Sequence, residues 1–212
     1  MAELTKIWSR RSSSSAQKVF WALEELGVPY EQVDAGRSFG VVGVAAYLEK
    51  NPNGLVPTLE EPDGFTLWES NAIVRYLGAK HGEGTFWPAD PQRRADADRW
   101  MDWATTTAIP AINPLFAKLV MRWSEAKDQA EIDDHIRQSD EVLKRLAITL
   151  ARQPYVAGEH LTAGDVPLGM IINRWFSLPI ERPKLPVIED YYARLSERPA
   201  YRRNVIEAPA VI

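Results

Sequence analysis

The spacing of apolar residues predicts alternating strands and helices over the first 80 residues. Leu4–Trp8 alternates as a half-buried strand does, whereas Ala16–Leu26 repeats its apolar residues every three or four positions. Gly27 and Pro29 then end this helix. The same patterns predict strands at 30–33, 56–60 and 65–68, and helices at 41–50 and 69–80. The order β-α-β-α-β-β-α predicts an α/β sandwich that ends in an antiparallel hairpin.

The second half of the chain shows helical periodicity and no strand pattern. Glycines and prolines between Lys80 and Gln92 indicate a linker. Helices are predicted at 93–122, 132–150, 163–175 and 188–196. Pro110 and Pro114 fall inside the first of these, and because proline lacks an N–H we expect a kink or break there. We therefore predict two domains, residues 1–81 and residues 92–212, the second entirely helical.

Composition excludes several classes of function. The 212 residues are 45% hydrophobic and 25% charged, as in ordinary globular proteins, and the net charge of -4 argues against a nucleic-acid-binding surface. No apolar run reaches about 20 residues and the N-terminus has no secretory signal, so we expect a cytoplasmic protein without a membrane segment. The absence of cysteine excludes a catalytic protein thiol, and three scattered histidines offer no metal-binding spacing.

The first candidate site is the serine run Ser12–Ser15, between the first predicted strand and helix. A helix N-terminus offers unpaired N–H groups and a partial positive charge, so this loop can bind an anion. A serine hydroxyl there can donate a hydrogen bond to a thiolate. Ser14 and Gln17 also fit a capping box, and capping alone would explain the serines. We expect Ser14 to be the N-cap.

Two further segments suit the backbone and the head group of a peptide ligand. A cis bond before Pro57 would leave the N–H and C=O of Val56 open to an extended peptide, although an ordinary trans proline is the alternative. At the start of the 69–80 helix, Ser70 can hold a carboxylate and Glu69 an ammonium group. The alternative there is a simple capping pair.

Taken in order, these motifs are similar to those of a known family. The segments Ser12–Val19, Asn51–Pro57 and Trp68–Leu77 resemble the glutathione-binding half of cytosolic glutathione transferases. Thr162–Asp165 resembles the helix-capping motif of their C-terminal domain. The resemblance covers essentially the whole chain and is greatest to bacterial members related to the theta class. It implies a thioredoxin-like N-terminal domain, an all-helical C-terminal domain and glutathione as co-substrate, without a metal.

The resemblance also implies roles for particular residues in glutathione binding. These are the catalytic serine Ser13, the backbone clamp Val56 and cis-Pro57, and the γ-glutamyl pair Glu69 and Ser70. Ser15 and Ser12 remain alternatives to Ser13 as the donor to the thiolate. Arg37 is a candidate partner for the glycine carboxylate of glutathione.

The second substrate is expected to lie against Arg11, Ile109 and Asn113. Relatives often carry arginine where this chain has Asn113, so we expect this pocket to lack that cation. The implied reaction is attack of the glutathione thiolate on a small, hydrophobic electrophile. Glutathione-dependent dehalogenation, peroxide reduction and isomerisation are alternative reactions, and a non-catalytic binding protein of the same fold is a third possibility.

The implied assembly is a homodimer. Three tryptophans on or next to the first helical stretch, Trp100, Trp103 and Trp123, are expected in the core or in the dimer interface.

Overall fold

The computed structural model describes residues 4–121 and 128–209, so the predicted helix end at Arg122 and the position of Trp123 lie outside the described residues. The described chain divides into two compact units, residues 4–83 with 199–209, and residues 84–198. The final segment, which we expected in the helical domain, packs in the first unit. The rings of Trp21 and Tyr201 lie 4.7 Å apart between centroids, and Arg203 pairs with Glu24 at 2.8 Å.

A four-stranded sheet of order β2-β1-β3-β4 forms the base of the first unit. Its strands are β1 (Thr5–Ser9), β2 (Tyr30–Asp34), β3 (Thr58–Glu60) and β4 (Thr66–Trp68). β1 pairs in parallel with β2, whereas β3 runs antiparallel to both β1 and β4. The register aligns Thr58 with Trp8 on one side and with Trp68 on the other. The chain therefore leaves β1 and β4 at the same edge at which it enters β3.

Three helices accompany this sheet: α1 (Ser14–Glu25), α2 (Ala45–Leu48) and α3 (Ser70–His81). α1 buries Val19, Phe20 and Leu23 completely, which explains its apolar spacing. The helix predicted at 41–50 is much shorter than expected. Gly40 and Val41 have φ angles of +63° and +58°, which a right-handed helix cannot include. A 3₁₀ turn at Arg37–Phe39 and the single turn of α2 replace it.

The second unit contains helices and no strand among its described residues. The helices are α4 (Pro91–Trp103), α5 (Ile109–Leu119), α6 (Gln129–Leu150), α7 (Asp165–Ser177) and α8 (Pro186–Ser196). A short helix α9 (Pro199–Tyr201) and a π-helical turn (Arg202–Ile206) belong to the first unit. No helix in the described ranges is long and apolar enough to cross a membrane.

The predicted interruption near Pro110 takes the form of a wider helical turn. The residues Ala104–Ala108 form a π-helix between α4 and α5, and Pro110 follows at the start of α5. Proline leaves one carbonyl of the preceding turn without its N–H donor, and a π-helical turn absorbs that irregularity. Pro114 lies inside α5, which continues to Leu119. The stretch is thus irregular where expected but remains helical.

The capping motif at Thr162 and Asp165 organises the second unit around a buried carboxylate. Asp165 is fully buried and accepts hydrogen bonds from the N–H groups of Thr162 and Val156, at 2.8 and 3.0 Å. It also accepts from the hydroxyls of Thr162 and Tyr191. Four donors on one carboxylate tie the loop before α7 to α8, which agrees with the helix-capping motif that this segment resembles.

Candidate active site

The sheet register places three segments at one edge of the first unit. The loop after β1 leads into α1, the turn before β3 contains Pro57, and the end of β4 leads into α3. A cleft at this edge is lined by Ser15, Asn51, Asn53, Leu55, Val56, Pro57, Trp68, Glu69 and Ser70. Four of the five residues predicted to bind glutathione therefore line one cleft together with the alternative donor Ser15, whereas Ser13 is not among the lining residues.

The N-cap of α1 is Ser13, which corrects the prediction of Ser14. Ser13 is extended, with φ −83° and ψ 116°, and its hydroxyl oxygen accepts a hydrogen bond from the N–H of Ala16 at 3.3 Å. Ser14 is instead the first helical residue, and the side chain of Gln17 donates to the carbonyl of Arg11. The helix begins one position earlier than the predicted capping box required.

This cap leaves the hydrogen of the Ser13 hydroxyl available. A hydroxyl that accepts one hydrogen bond can still donate its own hydrogen, and accepting a bond strengthens that donation. Ser13 is 5% exposed, whereas Ser15 is half-buried and lines the cleft directly. Both hydroxyls thus have the chemistry required to stabilise an anion beside the N-terminus of α1.

The Val56–Pro57 peptide bond is cis, as the resemblance implied. Within the described residues, neither the N–H nor the C=O of Val56 has a hydrogen-bond partner. Val56 is half-exposed and lines the cleft. Its N–H and C=O are therefore free to pair with an extended peptide, which can add here as a short strand.

A buried asparagine, which the sequence reasoning did not select, fixes this turn. Asn51 is 2% exposed and donates to the carbonyl of Leu55 at 2.9 Å and to the hydroxyl of Thr58 at 3.0 Å. Its own oxygen accepts from the N–H of Asn53. The hydroxyl of Tyr47 donates to the same Leu55 carbonyl at 2.6 Å. The Asn-Pro-Asn-Gly sequence could have indicated this role, because an asparagine side chain commonly accepts a hydrogen bond from the backbone N–H two residues further on.

Glu69 and Ser70 do not form the capping pair that was their alternative explanation. Glu69 occupies the N-cap position of α3, but its side chain makes no capping hydrogen bond. Its φ angle of +69° is uncommon for a residue with a β-carbon. Ser70 is 6% exposed and lines the cleft. A strained residue without a capping role at a cleft points to ligand binding.

Two arginines, Arg10 and Arg37, lie close to Val56 at this end of the sheet. A β-carbon at Gly36 would come within 3.2 Å of the Val56 side chain and 3.6 Å of the Arg10 guanidinium, so these groups crowd around one glycine. Burial, with a smaller contribution from the charge of Arg37, lowers the pKa of Arg10. The Arg10 Nε is buried without a partner in the described chain. Positive charge is thus concentrated here, although the sequence reasoning had selected only Arg37.

Comparison with known proteins identifies the family of this chain. The family model for the N-terminal domain of glutathione S-transferases matches residues 12–80, and that for the C-terminal domain matches residues 100–199. The chain is 40% identical over 201 residues to glutathione S-transferase GstB of Escherichia coli K12, covering 94% of this chain and 97% of that protein. The chain belongs to the glutathione S-transferase family. This confirms the predicted family and transferase class.

Solved structures of glutathione S-transferases share the fold over the whole chain. The theta class enzyme of Xanthomonas axonopodis pv. citri, crystallised with glutathione bound, is 45% identical, covers 100% of both chains and has a TM-score of 0.89. A glutathione S-transferase of Pseudomonas fluorescens is 28% identical, with 93% of this chain and 97% of that chain covered and a TM-score of 0.80. These matches confirm the predicted thioredoxin-like and all-helical domains of the transferase fold.

Arg11, one of the residues expected to contact the electrophile, is held by neighbours in the first unit of this transferase. Its guanidinium donates to Asn204 at 2.7 Å and to the hydroxyl of Tyr30 at 3.0 Å, and it lies 4.4 Å from the centre of the Phe20 ring. These contacts connect the loop before α1 to the C-terminal segment of the chain.

Ile109 and Asn113 lie one turn apart on α5 in the second unit, so they share a helix face. Contrary to expectation, a cation lies next to Asn113. Its amide oxygen accepts a hydrogen bond from the guanidinium of Arg174 on α7. Sequence spacing could not show this, because the two residues are 61 positions apart.

The residues described here contain no cluster of three histidine, aspartate or glutamate side chains that could bind a metal.

We predict that Asn51→Ala destabilises the protein by about 1–3 kcal/mol and weakens glutathione binding, because the Leu55 carbonyl and Thr58 lose a buried donor. Urea denaturation and calorimetric titration with glutathione measure the two effects. Asn53→Ala is the matched control, since it removes one contact to Asn51 at an exposed position and leaves those two bonds intact. Equal destabilisation by both variants, or unchanged glutathione affinity in Asn51→Ala, would contradict this role.

Proposed function

We propose that this transferase binds glutathione along the cleft and catalyses attack of its thiolate on a small electrophile. The observation that carries the proposal is the meeting of two helix N-termini and the unpaired Val56 backbone at one sheet edge. Ser70 and the N-terminus of α3 take the γ-glutamyl carboxylate, and Glu69 takes its ammonium group. Val56 pairs with the cysteinyl backbone of glutathione beside Pro57.

We assign stabilisation of the thiolate to Ser13. Ser13 is the position that the family resemblance gives to the catalytic serine, and Ser15, which lines the cleft with Val56, Pro57, Glu69 and Ser70, is the alternative donor. Ser13 precedes α1 and keeps its hydroxyl hydrogen for donation. Ser12 is half-buried at the same loop and is the least favoured of the three.

The free energies involved suffice for catalysis without a protein base. A free thiol has a pKa of about 8.5. A hydrogen bond to a charged acceptor contributes roughly 1.5–3 kcal/mol, and a helix N-terminus adds about 0.3–1 kcal/mol. Since each pKa unit corresponds to about 1.4 kcal/mol, these terms lower the thiol pKa by about one to three units. The pKa of the bound thiol then falls to about 5.5–7.5, so a substantial fraction of bound glutathione is thiolate near neutral pH.

The reaction forms a carbon–sulfur bond. The thiolate sulfur supplies the electron pair. In a substitution, the bond between the attacked carbon and the leaving group breaks and the leaving group departs with that bonding pair; in an addition, the π pair of an activated double bond moves to its far atom, which is protonated by water. Ile109 and Asn113, on one face of α5, are proposed to contact the electrophile, and Arg11 positions the loop that carries the serines. Arg10 and Arg37 are proposed to hold the glycine carboxylate of glutathione, since their charges add on the Val56 side of the cleft.

We also propose a homodimer that acts in the cytoplasm, on the basis of family membership. Exposed apolar side chains of the first unit support association: Phe39, Val44 and Leu55 are 49%, 54% and 65% exposed. Trp100, which was expected in the core or the interface, is only 9% exposed and packs edge-on against Trp103. The interface is therefore expected to use the first unit more than these tryptophans.

Ser13→Ala is expected to raise the pKa of bound glutathione by about one unit or more, because the thiolate loses a hydrogen-bond donor. Turnover should therefore fall more at pH 6.5 than at pH 9, where the thiol ionises unaided. The measurement is ultraviolet thiolate absorbance of the complex against pH, with Ser15→Ala as the matched control. An upward shift in Ser15→Ala alone transfers the role to Ser15. No shift in either variant refutes the hydroxyl mechanism.

Light scattering at micromolar concentration is expected to give twice the mass of one chain. A monomer under these conditions would refute the proposed homodimer.

A further inference from the structure

Arg174 carries a partly buried positive charge without a carboxylate partner in the described chain. It lies on α7, donates to the amide oxygen of Asn113, and its guanidinium carbon lies 4.2 Å from the centre of the Phe116 ring. Burial alone lowers its pKa to about 10, and no neighbouring charge contributes to that shift. The group is therefore still a cation at neutral pH, held by one neutral acceptor and one aromatic ring.

Two other arginines of the second unit have main-chain partners. Arg182 also lies over a phenylalanine ring, and one of its nitrogens donates to the carbonyls of Phe176 and Leu178, while its Nε is buried without a partner in the described chain. Arg194 donates to the carbonyl of Pro154. A guanidinium has five N–H donors, and Arg174 uses one of them on Asn113. Arg174 is half-buried and, among the described residues, none of its other nitrogens is buried without a partner, so these donors keep contact with solvent.

We propose that Arg174, Asn113 and Phe116 form an anion-recognition subsite for a carboxylate on the electrophilic substrate. This inference rests on the proposed function, because it assigns a substrate class to the site in which Asn113 is proposed to act. A buried cation is costly when unpaired, and a bound carboxylate offsets that cost.

The geometry favours a flat, carboxylated ligand. The donors of a guanidinium lie in its plane and match the two oxygens of a carboxylate, which lysine cannot do equally well. Phe116 covers one side of the guanidinium, so the unused donors are presented at its edge. Asn113 fixes one nitrogen and thereby the orientation of the plane. Arg174 is thus a specificity-determining residue, and it takes no part in activating the thiol.

The test uses two unreactive ligands of the same shape, 3,5-dinitrobenzoate and 3,5-dinitrobenzamide, titrated calorimetrically into the glutathione-saturated protein. The wild-type protein should bind the carboxylate about tenfold or more tightly than the amide. Arg174→Gln should lose about tenfold in affinity for the carboxylate and change by less than about twofold for the amide. Arg182→Gln is the matched control and should keep the preference, since its partners are main-chain carbonyls.

Arg174→Lys is the second variant, for the case in which Arg174→Gln fails to fold. Lysine keeps the positive charge but lacks the planar guanidinium, so this variant should lose part of the preference for the carboxylate over the amide. A wild-type protein without preference, or equal losses for both ligands in the Arg174 variants, overturns the proposal. Binding of these ligands needs no turnover. A protein that prefers the carboxylate but transfers no glutathione would therefore overturn the proposed function and leave the subsite standing.

Discussion

The pairing of β3 between β1 and β4 is the constraint on which the candidate site depends. Because β3 runs antiparallel to both neighbours, β1 and β4 end at the same sheet edge, and Trp8, Thr58 and Trp68 lie side by side. The helices that follow β1 and β4 must then begin at that edge, with their unpaired N–H groups pointing in a similar direction. The backbone hydrogen bonds of β3 thus bring together three segments that are far apart in sequence.

The polar side chains around this edge act mainly by fixing backbone groups. Asn51 and Tyr47 hold the turn that presents Val56, and Ser13 caps the N-terminus of α1 while retaining a hydrogen to donate. These contacts are made before any ligand arrives, so binding does not have to order them. Stabilising a thiolate in this way needs preformed donors rather than a cysteine, a metal or a histidine base. The chain contains no cysteine, which agrees with chemistry carried by the thiol of a bound peptide.

The sequence was sufficient for the family, the fold and the segments that line the cleft, because each rests on local spacing or on several motifs in order. The predictions that were wrong concern either a shift of one residue or contacts between residues far apart in sequence. The helix start at Ser13 rather than Ser14 is a shift of one position that hydroxyl spacing cannot resolve. The place of Tyr201 in the first unit depends on packing against Trp21, 180 positions away. The arginine at Asn113 likewise comes from another helix. The roles of individual site residues stay predictions.

The central claim is that glutathione binds along this edge with its sulfur at the start of α1. The most direct measurement is a crystal structure of the protein with glutathione bound. We expect the γ-glutamyl carboxylate at Ser70, two hydrogen bonds between the cysteinyl backbone and Val56, and the sulfur within hydrogen-bonding distance of the Ser13 hydroxyl. Glutathione bound away from Val56 and Ser70, or a sulfur beyond reach of every hydroxyl between Ser12 and Ser15, would contradict the account.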